Sequence, residues 1–154
     1  MEIRTATTAD VETIVSLWVE LMQLHQPFGM NFETVPQAVG LVLPEINKRI
    51  SDPNTRVFLA GEGAGMIIVF MKYLAETMKH RRIGYIAETV VNEKFRRQGV
   101  GEKLFEAARN WLVDQGAEYL ELQVSPQNAG ARKFWVDKGF TVSTEHMVLP
   151  VTGS

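Results

Sequence analysis

Residues 83–112, IGYIAETVVNEKFRRQGVGEKLFEAARNWL, predict a strand, a glycine-containing turn and a helix in direct succession. β-Branched and aromatic side chains alternate between Tyr85 and Val91, which is typical of a strand. Apolar side chains then recur at helical spacing between Val100 and Leu112. The turn, residues 96–101, reads RRQGVG and places two arginines and two glycines at the start of the helix. This arrangement favours anion binding, because glycine lets backbone amides approach a ligand and the first helical turn has unpaired N–H groups.

Two common phosphate-binding patterns do not fit this turn. Leu104 stands where the dinucleotide-binding fingerprint has its third glycine, and no G-x-x-x-x-G-K-[ST] sequence occurs in this region. The structural alternative is a plain strand–turn–helix, in which the glycines serve the turn and the arginines serve solubility.

The strand and turn together resemble the pyrophosphate-binding motif of the GNAT superfamily of N-acetyltransferases. That motif reads [RQ]-x-x-G-x-[GA] after a strand ending in a hydrophobic residue, any residue and valine. Here Arg96, Gly99 and Gly101 follow Thr89-Val90-Val91.

A second block at the expected distance strengthens the resemblance. Residues 124–140, VSPQNAGARKFWVDKGF, resemble the family pattern N-x-x-A-x-x-[FL]-Y-x-x-x-G-F. One residue departs from it, because Trp135 stands where the family usually has tyrosine. The resemblance is specific over roughly residues 83–141 and concerns only the architecture outside them.

The resemblance implies transfer of an acetyl group from acetyl-CoA, the co-substrate, to an amine. It also implies a set of coenzyme-binding residues. Two lie on the strand edge that would pair with the pantetheine arm, six in the turn that would hold the pyrophosphate, and two in the second block: Val90, Val91, Arg96, Arg97, Gln98, Gly99, Val100, Gly101, Asn128 and Phe134. Either Arg96 or Arg97 would supply positive charge. The alternative for Phe134 is an ordinary core position.

Glu88 is the candidate base. An alkylammonium group has a pKa of about 10.4, so it must lose a proton before its nitrogen can attack. Glu88 lies three residues before Val91, and strict alternation would place Ile86 and Val90 on its side of the strand. A charged residue in a largely apolar strand needs water or a partner, so a structural ion pair is the alternative.

Trp135 is the second candidate catalytic residue, and it raises a question about the leaving thiolate. The family's tyrosine often protonates this group, whereas an indole N–H donates a hydrogen bond without being a useful acid. Three alternatives are open: the indole steadies the sulfur, Ser125 serves instead, or the thiolate leaves unaided. The chain contains no cysteine, so direct attack in a ternary complex is expected rather than an acyl-enzyme.

The resemblance implies one GNAT-like domain over residues 1–154, of the α/β (α+β) class, with a mixed, mostly antiparallel sheet flanked by about four helices. Thr7 and Asp10 fit a capping box before a helix that reaches about His25. A second helix begins near Pro36, and Pro44 is predicted to split or kink it. The other predicted elements are strands at residues 2–6, 55–62, 66–74, 117–124, 140–142 and 146–151, and a last helix at residues 126–138.

Composition limits the partners. A net charge of −2 gives no case for binding nucleic acid or a membrane. The absence of cysteine and the wide separation of His25, His80 and His146 predict no metal site. The N-terminal residues lack a signal-peptide pattern, so a cytoplasmic protein is expected, and similar proteins suggest a homodimer.

Two further regions carry open alternatives. The basic run of residues 79–82 is either a solvated turn or a contact for an acidic acceptor or the coenzyme's phosphates. Phe28, Met30 and Phe32 either pack under a loop or line the acceptor cleft.

The identity of the acceptor amine, small molecule or peptide, cannot be predicted from the sequence. The alternative function is a non-catalytic sensor or interaction module that binds acyl-CoA, for which Trp135 is the best argument.

Overall fold

A computed structural model describes residues 1–152. The chain forms two compact units, the first comprising Met1–Gln123 and the second beginning at Val124. The first unit holds the sheet and three helices, and the second holds one helix.

The sheet has five strands in the order of the sequence. They are β1 (Ile3–Thr5), β2 (Thr55–Ala60), β3 (Gly65–Tyr73), β4 (Arg82–Val91) and β5 (Tyr119–Leu122). The first three pairings are antiparallel, and β4 pairs with β5 in parallel. The prediction of a mixed, mostly antiparallel sheet is therefore confirmed.

The helices are α1 (Val11–His25), α2 (Ala38–Ser51), α3 (Val100–Asp114) and α4 (Ala129–Asp137). A short 3-10 turn, Thr8–Asp10, leads into α1 and carries the predicted capping box. The Asp10 carboxylate accepts a hydrogen bond from the Thr7 backbone N–H at 2.8 Å, and both of its oxygens accept from Arg4. These bonds lower the pKa of Asp10 to about 2, so this end of α1 is tied to β1 by an ionised carboxylate.

The prediction that Pro44 splits the second helix is wrong, because α2 runs unbroken through it, while a kink at Pro44 remains a prediction. Proline removes one intrahelical hydrogen bond. However, Val42 and Ile46, on either side of Pro44, are both buried in the core. Burial of these two side chains holds the helical turn that the missing hydrogen bond would otherwise weaken.

The two faces of the sheet are covered by different helices. Helices α1 and α2 pack on one face, where their apolar residues meet alternate residues of β2, β3 and β4: Val57, Leu59, Met66, Ile68 and Val90. The residues between these positions point to the other face, where Arg56 lies over the Trp111 ring of α3. Two surfaces are thus defined, the α1/α2 face and the α3 face.

The two closing strands predicted at residues 140–142 and 146–151 are not formed in the described chain. Residues 141–152 have no helix or strand. Apolar alternation predicts a strand only where a neighbouring backbone is available to pair with it. The apolar side chains of this segment are instead exposed, as Met147 at 87% and Leu149 at 83% show.

Candidate functional site

The turn between β4 and α3 has a backbone that exposes its amides. Gly99 caps α3 with φ +77°, and Arg97 has φ +64°, a left-handed conformation that few non-glycine residues adopt. Such strained positions concentrate at functional sites, and N–H groups around left-handed turns form anion-binding nests. A Cβ atom placed on Gly99 would meet no atom within 4 Å, so the turn is open on that side.

The two arginines of the turn have different environments. The Arg96 guanidinium donates from Nε to the Val91 carbonyl oxygen at 3.0 Å, and its Nη2 lies 3.8 Å from the Glu20 carboxylate of α1. The same carboxylate accepts a hydrogen bond from the Glu93 backbone N–H at 3.2 Å. Arg97 is exposed and, within residues 1–152, forms no ion pair. Arg96 thus ties the turn to α1, while the charge of Arg97 remains available.

The strand that leads into this turn, β4, is only partly paired with β5 along one edge. β4 pairs with β5 only from Ile83 to Ile86, where β5 ends at Leu122. Its other edge stays paired with β3 as far as Val91. Residues 87–91 therefore present an edge that β5 does not cover, directly before the turn. An extended, amide-containing ligand can pair with such an edge.

A bulge in β4 determines which face Glu88 occupies. Ile86 lies opposite Val69 and Glu88 lies opposite Ile68, so Ala87 is an extra residue in β4. Directly opposed residues share a face, and Glu88 therefore points to the α1/α2 face. Val90 lies on that face as expected. The expectation that Ile86 does so too is wrong, since the bulge interrupts the alternation.

Glu88 is buried next to a basic side chain. Its carboxylate Oε2 lies 3.5 Å from Nη1 of Arg49, in the last turn of α2. Neither of these two buried atoms makes a hydrogen bond. The Glu88 side chain is only 16% exposed, and this burial raises its pKa; Arg49 opposes the rise and Glu45 adds to it. A carboxylate with a raised pKa and an unbonded oxygen is suited to accept a proton.

An aromatic pair continues the α1/α2 face beyond Glu88. The rings of Phe70 and Tyr85, which are opposed across β3 and β4, lie 5.1 Å apart. Lys72 lies 5.3 Å above the Tyr85 ring and 2.6 Å from the Glu121 carboxylate. The sequence gives no local signal for this cluster or for Arg49, because their contacts join residues far apart in the chain.

The other predicted site residues lie in the second unit, on or beside α4. Asn128 caps this helix, and its side-chain oxygen accepts a hydrogen bond from the Ala131 N–H at 3.2 Å. Trp135 packs edge-on against Phe134 at 4.8 Å and against Phe140 at 5.5 Å. The roles predicted for Asn128, Phe134 and Trp135 remain predictions.

The basic run of residues 79–82 is occupied by an internal partner. His80 and Arg82 both contact the Glu118 carboxylate, at 2.9 and 3.3 Å, and the His80 hydrogen bond is the main reason that the Glu118 pKa falls to about 2. The run lies at the start of β4 and the glycine-containing turn follows its end, roughly 30 Å away for a ten-residue strand. The run is thus an ion-paired turn, remote from the candidate phosphate site.

The aromatic residues after α1 divide between packing and exposure. Phe28 and Phe32 pack on the His25 ring with centroid distances of 5.8 and 5.2 Å. Met30 is 54% exposed. Packing under the loop therefore accounts for the two phenylalanines and not for Met30.

The chain belongs to the acetyltransferase (GNAT) family, whose family model matches residues 18–140. This match confirms the resemblance drawn from the two sequence blocks.

Two individual relatives of the chain are also named as N-acetyltransferases. The chain is 30% identical over 146 residues to the aminoalkylphosphonate N-acetyltransferase of Salmonella typhimurium, covering 92% of this chain and 86% of that protein. It is 25% identical over 138 residues to an uncharacterized N-acetyltransferase of Archaeoglobus fulgidus, covering 90% and 91%.

Solved structures share the fold. The BH1408 protein of Bacillus halodurans matches with a TM-score of 0.84 and 23% identity, covering 99% of this chain and 100% of that chain. The aminoglycoside N-acetyltransferase AAC(6')-Iy in complex with CoA matches with a TM-score of 0.77 and 17% identity, over 98% and 93%. Across residues 1–152, none of the helices has both the length and the apolar character that a membrane span requires.

Proposed function

We propose that this protein transfers an acetyl group from acetyl-CoA to the primary amine of a small molecule, with Glu88 as the base. The observation that carries the proposal is the buried Glu88 carboxylate on the segment of β4, residues 87–91, that β5 does not pair with. This segment leads directly into the open turn at Arg97 and Gly99. The family of the chain and the names of its relatives support an acetyl transfer.

The residues of the turn and of the strand edge fit the coenzyme. Backbone N–H groups of residues 97–101 would hold the pyrophosphate, with the exposed Arg97 supplying charge. The edge at Val90 and Val91 would pair with the pantetheine amides. Asn128 and Phe134 are included because of the family pattern. Bound acetyl-CoA supplies an acetyl carbonyl that is activated by its bond to sulfur.

The proposed reaction begins with proton transfer from the acceptor ammonium to Glu88. The neutral nitrogen would then attack the acetyl carbonyl carbon, and the carbon–sulfur bond would break with its electron pair leaving on the sulfur. The second proton that the nitrogen loses would pass to the sulfur, which gives the amide and the free thiol. A backbone N–H near Val91 would polarise the carbonyl oxygen. Trp135 would at most donate a hydrogen bond to the sulfur, because an indole is not a useful acid.

The acceptor is proposed to be a small molecule rather than a protein. The Salmonella relative is named for aminoalkylphosphonates, and the solved neighbours include aminoglycoside acetyltransferases. The α1/α2 face beside Glu88 would receive the amine.

The test is thiol release from acetyl-CoA with a panel of small primary amines. We expect Glu88→Gln to lower kcat/KM by about 10²- to 10⁴-fold, the usual contribution of a general base, and to leave CoA binding unchanged. Glu106→Gln is the matched control, since Glu106 is an exposed residue of α3 outside the site.

Two results would contradict the proposal. Amine-dependent release that survives in Glu88→Gln at the wild-type rate would remove the base. CoA binding without release over successively wider panels would favour the alternative, a sensor or interaction module that binds acyl-CoA without turnover.

A further inference from the structure

Arg49 forms an ion pair with Glu88 that contains no hydrogen bond. Its Nη1 lies 3.5 Å from Oε2 of Glu88, yet both atoms are buried and neither has a hydrogen-bond partner. A buried ion pair stabilises a protein when its geometry is good and its remaining donors are satisfied. A guanidinium has five N–H donors. This pair therefore has unused hydrogen-bonding capacity on both sides, in the middle of the proposed site.

The position of Arg49 in the last turn of α2 does not explain why its side chain extends towards β4. A cation in the last turn of a helix interacts favourably with the helix dipole. Lys48 stands in the same turn and is exposed, so it provides that interaction from the surface. Arg49 instead extends to the α1/α2 face of the sheet, with its side chain 35% exposed.

We infer that Arg49 binds the acid group of the acceptor, and that the acceptor is an amine whose acid group is attached one carbon away. The inference rests on the proposed function, because it takes Glu88 as the group that receives the amine. Two kinds of molecule share this chemistry, the α-amino acids and the 1-aminoalkylphosphonates.

Charge complementarity supports this class of acceptor. Glu88 and Arg49 together are neutral, and a zwitterion gives each of them an oppositely charged, hydrogen-bonding partner. A simple amine would pair with Glu88 and leave Arg49 unsatisfied. A polyamine would bring additional positive charge against Arg49, which disfavours it.

The short spacing limits the length of the acceptor. The side chains of Arg49 and Glu88 meet at 3.5 Å, so the two groups that they bind must also be neighbours. An acid several carbons from the amine would extend past Arg49. The other basic side chain of this face, Lys72, is not available for it, because its ammonium is already 2.6 Å from the Glu121 carboxylate.

The experiment compares acceptors that differ only in their acid group. Thiol release is measured with ethylamine, alanine, 1-aminoethylphosphonate and 4-aminobutyrate, on the wild type and on Arg49→Gln and Arg49→Lys. Arg56→Gln is the control, since Arg56 lies over Trp111 on the α3 face. Binding of alanine and of 1-aminoethylphosphonate to the CoA-saturated protein is measured by calorimetry as a second readout.

We expect one of the two zwitterions to exceed ethylamine and 4-aminobutyrate in kcat/KM by at least about tenfold. At a pH above the acidic limb, where Glu88 is ionised in both proteins, Arg49→Gln should lower the value for that zwitterion by about 10- to 100-fold, the range for a hydrogen bond to a charged group. The value for ethylamine should fall by less than about threefold. Arg49→Lys should restore part of the loss. Whether alanine or the phosphonate is preferred identifies the acid.

Several results would overturn the inference. Equal losses with ethylamine and with the zwitterions would mean that Arg49 acts only through Glu88. Equal use of ethylamine and the zwitterions by the wild type would mean that no acid is recognised. If no amine releases thiol, the proposed function fails, and the binding measurement still decides: zwitterion binding that is lost in Arg49→Gln supports the inference, and absence of binding refutes it.

Discussion

Glu88 has a pKa raised by burial, and only its deprotonated form can accept a proton from an ammonium ion. The rate should therefore increase with pH as Glu88 ionises, over a range above the usual pKa of a glutamate. Glu45 raises this pKa by like-charge repulsion, although it is an exposed residue of α2. Replacing it changes the titration of Glu88 without touching the substrate.

We predict that Glu45→Gln shifts the acidic limb of the kcat/KM profile to lower pH, because it removes a negative charge that disfavours ionised Glu88. Arg49→Gln should shift the limb to higher pH, because it removes the positive charge. Thiol release between pH 5 and 9 (an assay range of about four units around neutrality) measures both shifts. A limb that does not move in either variant would mean that another group is titrating.

At this scale the sequence predicts Glu88 and does not predict Arg49. Glu88 is conspicuous because it interrupts an apolar strand, a property of neighbouring residues. Arg49 lies in α2, and only folding brings it to β4. The two arginines of the turn look equivalent in the sequence, and their difference depends on Glu20 of α1, which contacts Arg96.

At the end of β4 that leads into the turn, the pairing of β3 with β4 requires a residue without a side chain, Gly65. A Cβ atom on Gly65 would lie 2.8 Å from the Val90 carbonyl oxygen and 3.3 Å from the Val91 Cα, both backbone atoms that cannot move aside easily. Gly40, inside α2, has open space where its Cβ would be. The two glycines therefore provide a matched comparison.

We predict that Gly65→Ala lowers the free energy of unfolding by about 1–3 kcal/mol, the range for overpacking. Gly40→Ala should raise it by about 0.5–1 kcal/mol, because alanine favours the helix and restricts the unfolded chain. Urea unfolding of both variants measures the difference. Equal effects of the two substitutions would contradict the close approach at Gly65.

Helices and strands are predicted well where one hydrophobic periodicity continues along the segment. They are predicted poorly where the structure depends on contacts with another part of the chain. The hairpin of β2 and β3 and the helices α1 and α3 follow their patterns. Pro44 is tolerated because buried neighbours hold α2, and residues 141–152 form no strand because a strand needs a paired backbone. The bulge at Ala87 could not be predicted, because the alternation of side-chain types along β4 does not indicate an extra residue there.

Binding of the coenzyme should stabilise the folded protein as a whole. A ligand that binds only the folded state at 100 times its Kd contributes about 2.7 kcal/mol, which for about 150 residues corresponds to roughly 5–10 °C in Tm. Because the proposed contacts are to a pyrophosphate, the increase should diminish with added salt.

We predict that Gly99→Ala reduces this CoA-dependent increase, since φ +77° strains any side chain and the backbone of the turn would have to change. Thermal unfolding with and without CoA measures it, and Gly40→Ala serves as the control. A full increase in Gly99→Ala would mean that CoA does not bind at this turn.

At the scale of the whole chain, the two sequence blocks predict the family because they carry specific residues in a fixed order. The family match over residues 18–140 extends from the first compact unit into the second. A single domain and a homodimer remain predictions. The proposed acceptor depends on charges that separate elements bring together, Arg49 of α2 and Glu88 of β4, and no local pattern encodes such a combination.

Because β4 contains an extra residue, the face of the sheet that Glu88 occupies depends on how the strand pairs as well as on its sequence. If β4 kept the pairing of Ile86 with Val69 and continued without the bulge, Glu88 would turn its carboxylate to the face that α3 covers, where Leu104 and Leu112 are fully buried. The bulge thus keeps the charge of Glu88 on the α1/α2 face, and deleting Ala87 would restore regular alternation with Glu88 still opposite Ile68. Any alignment of this strand with a relative must place its gap correctly before a residue is equated with Glu88.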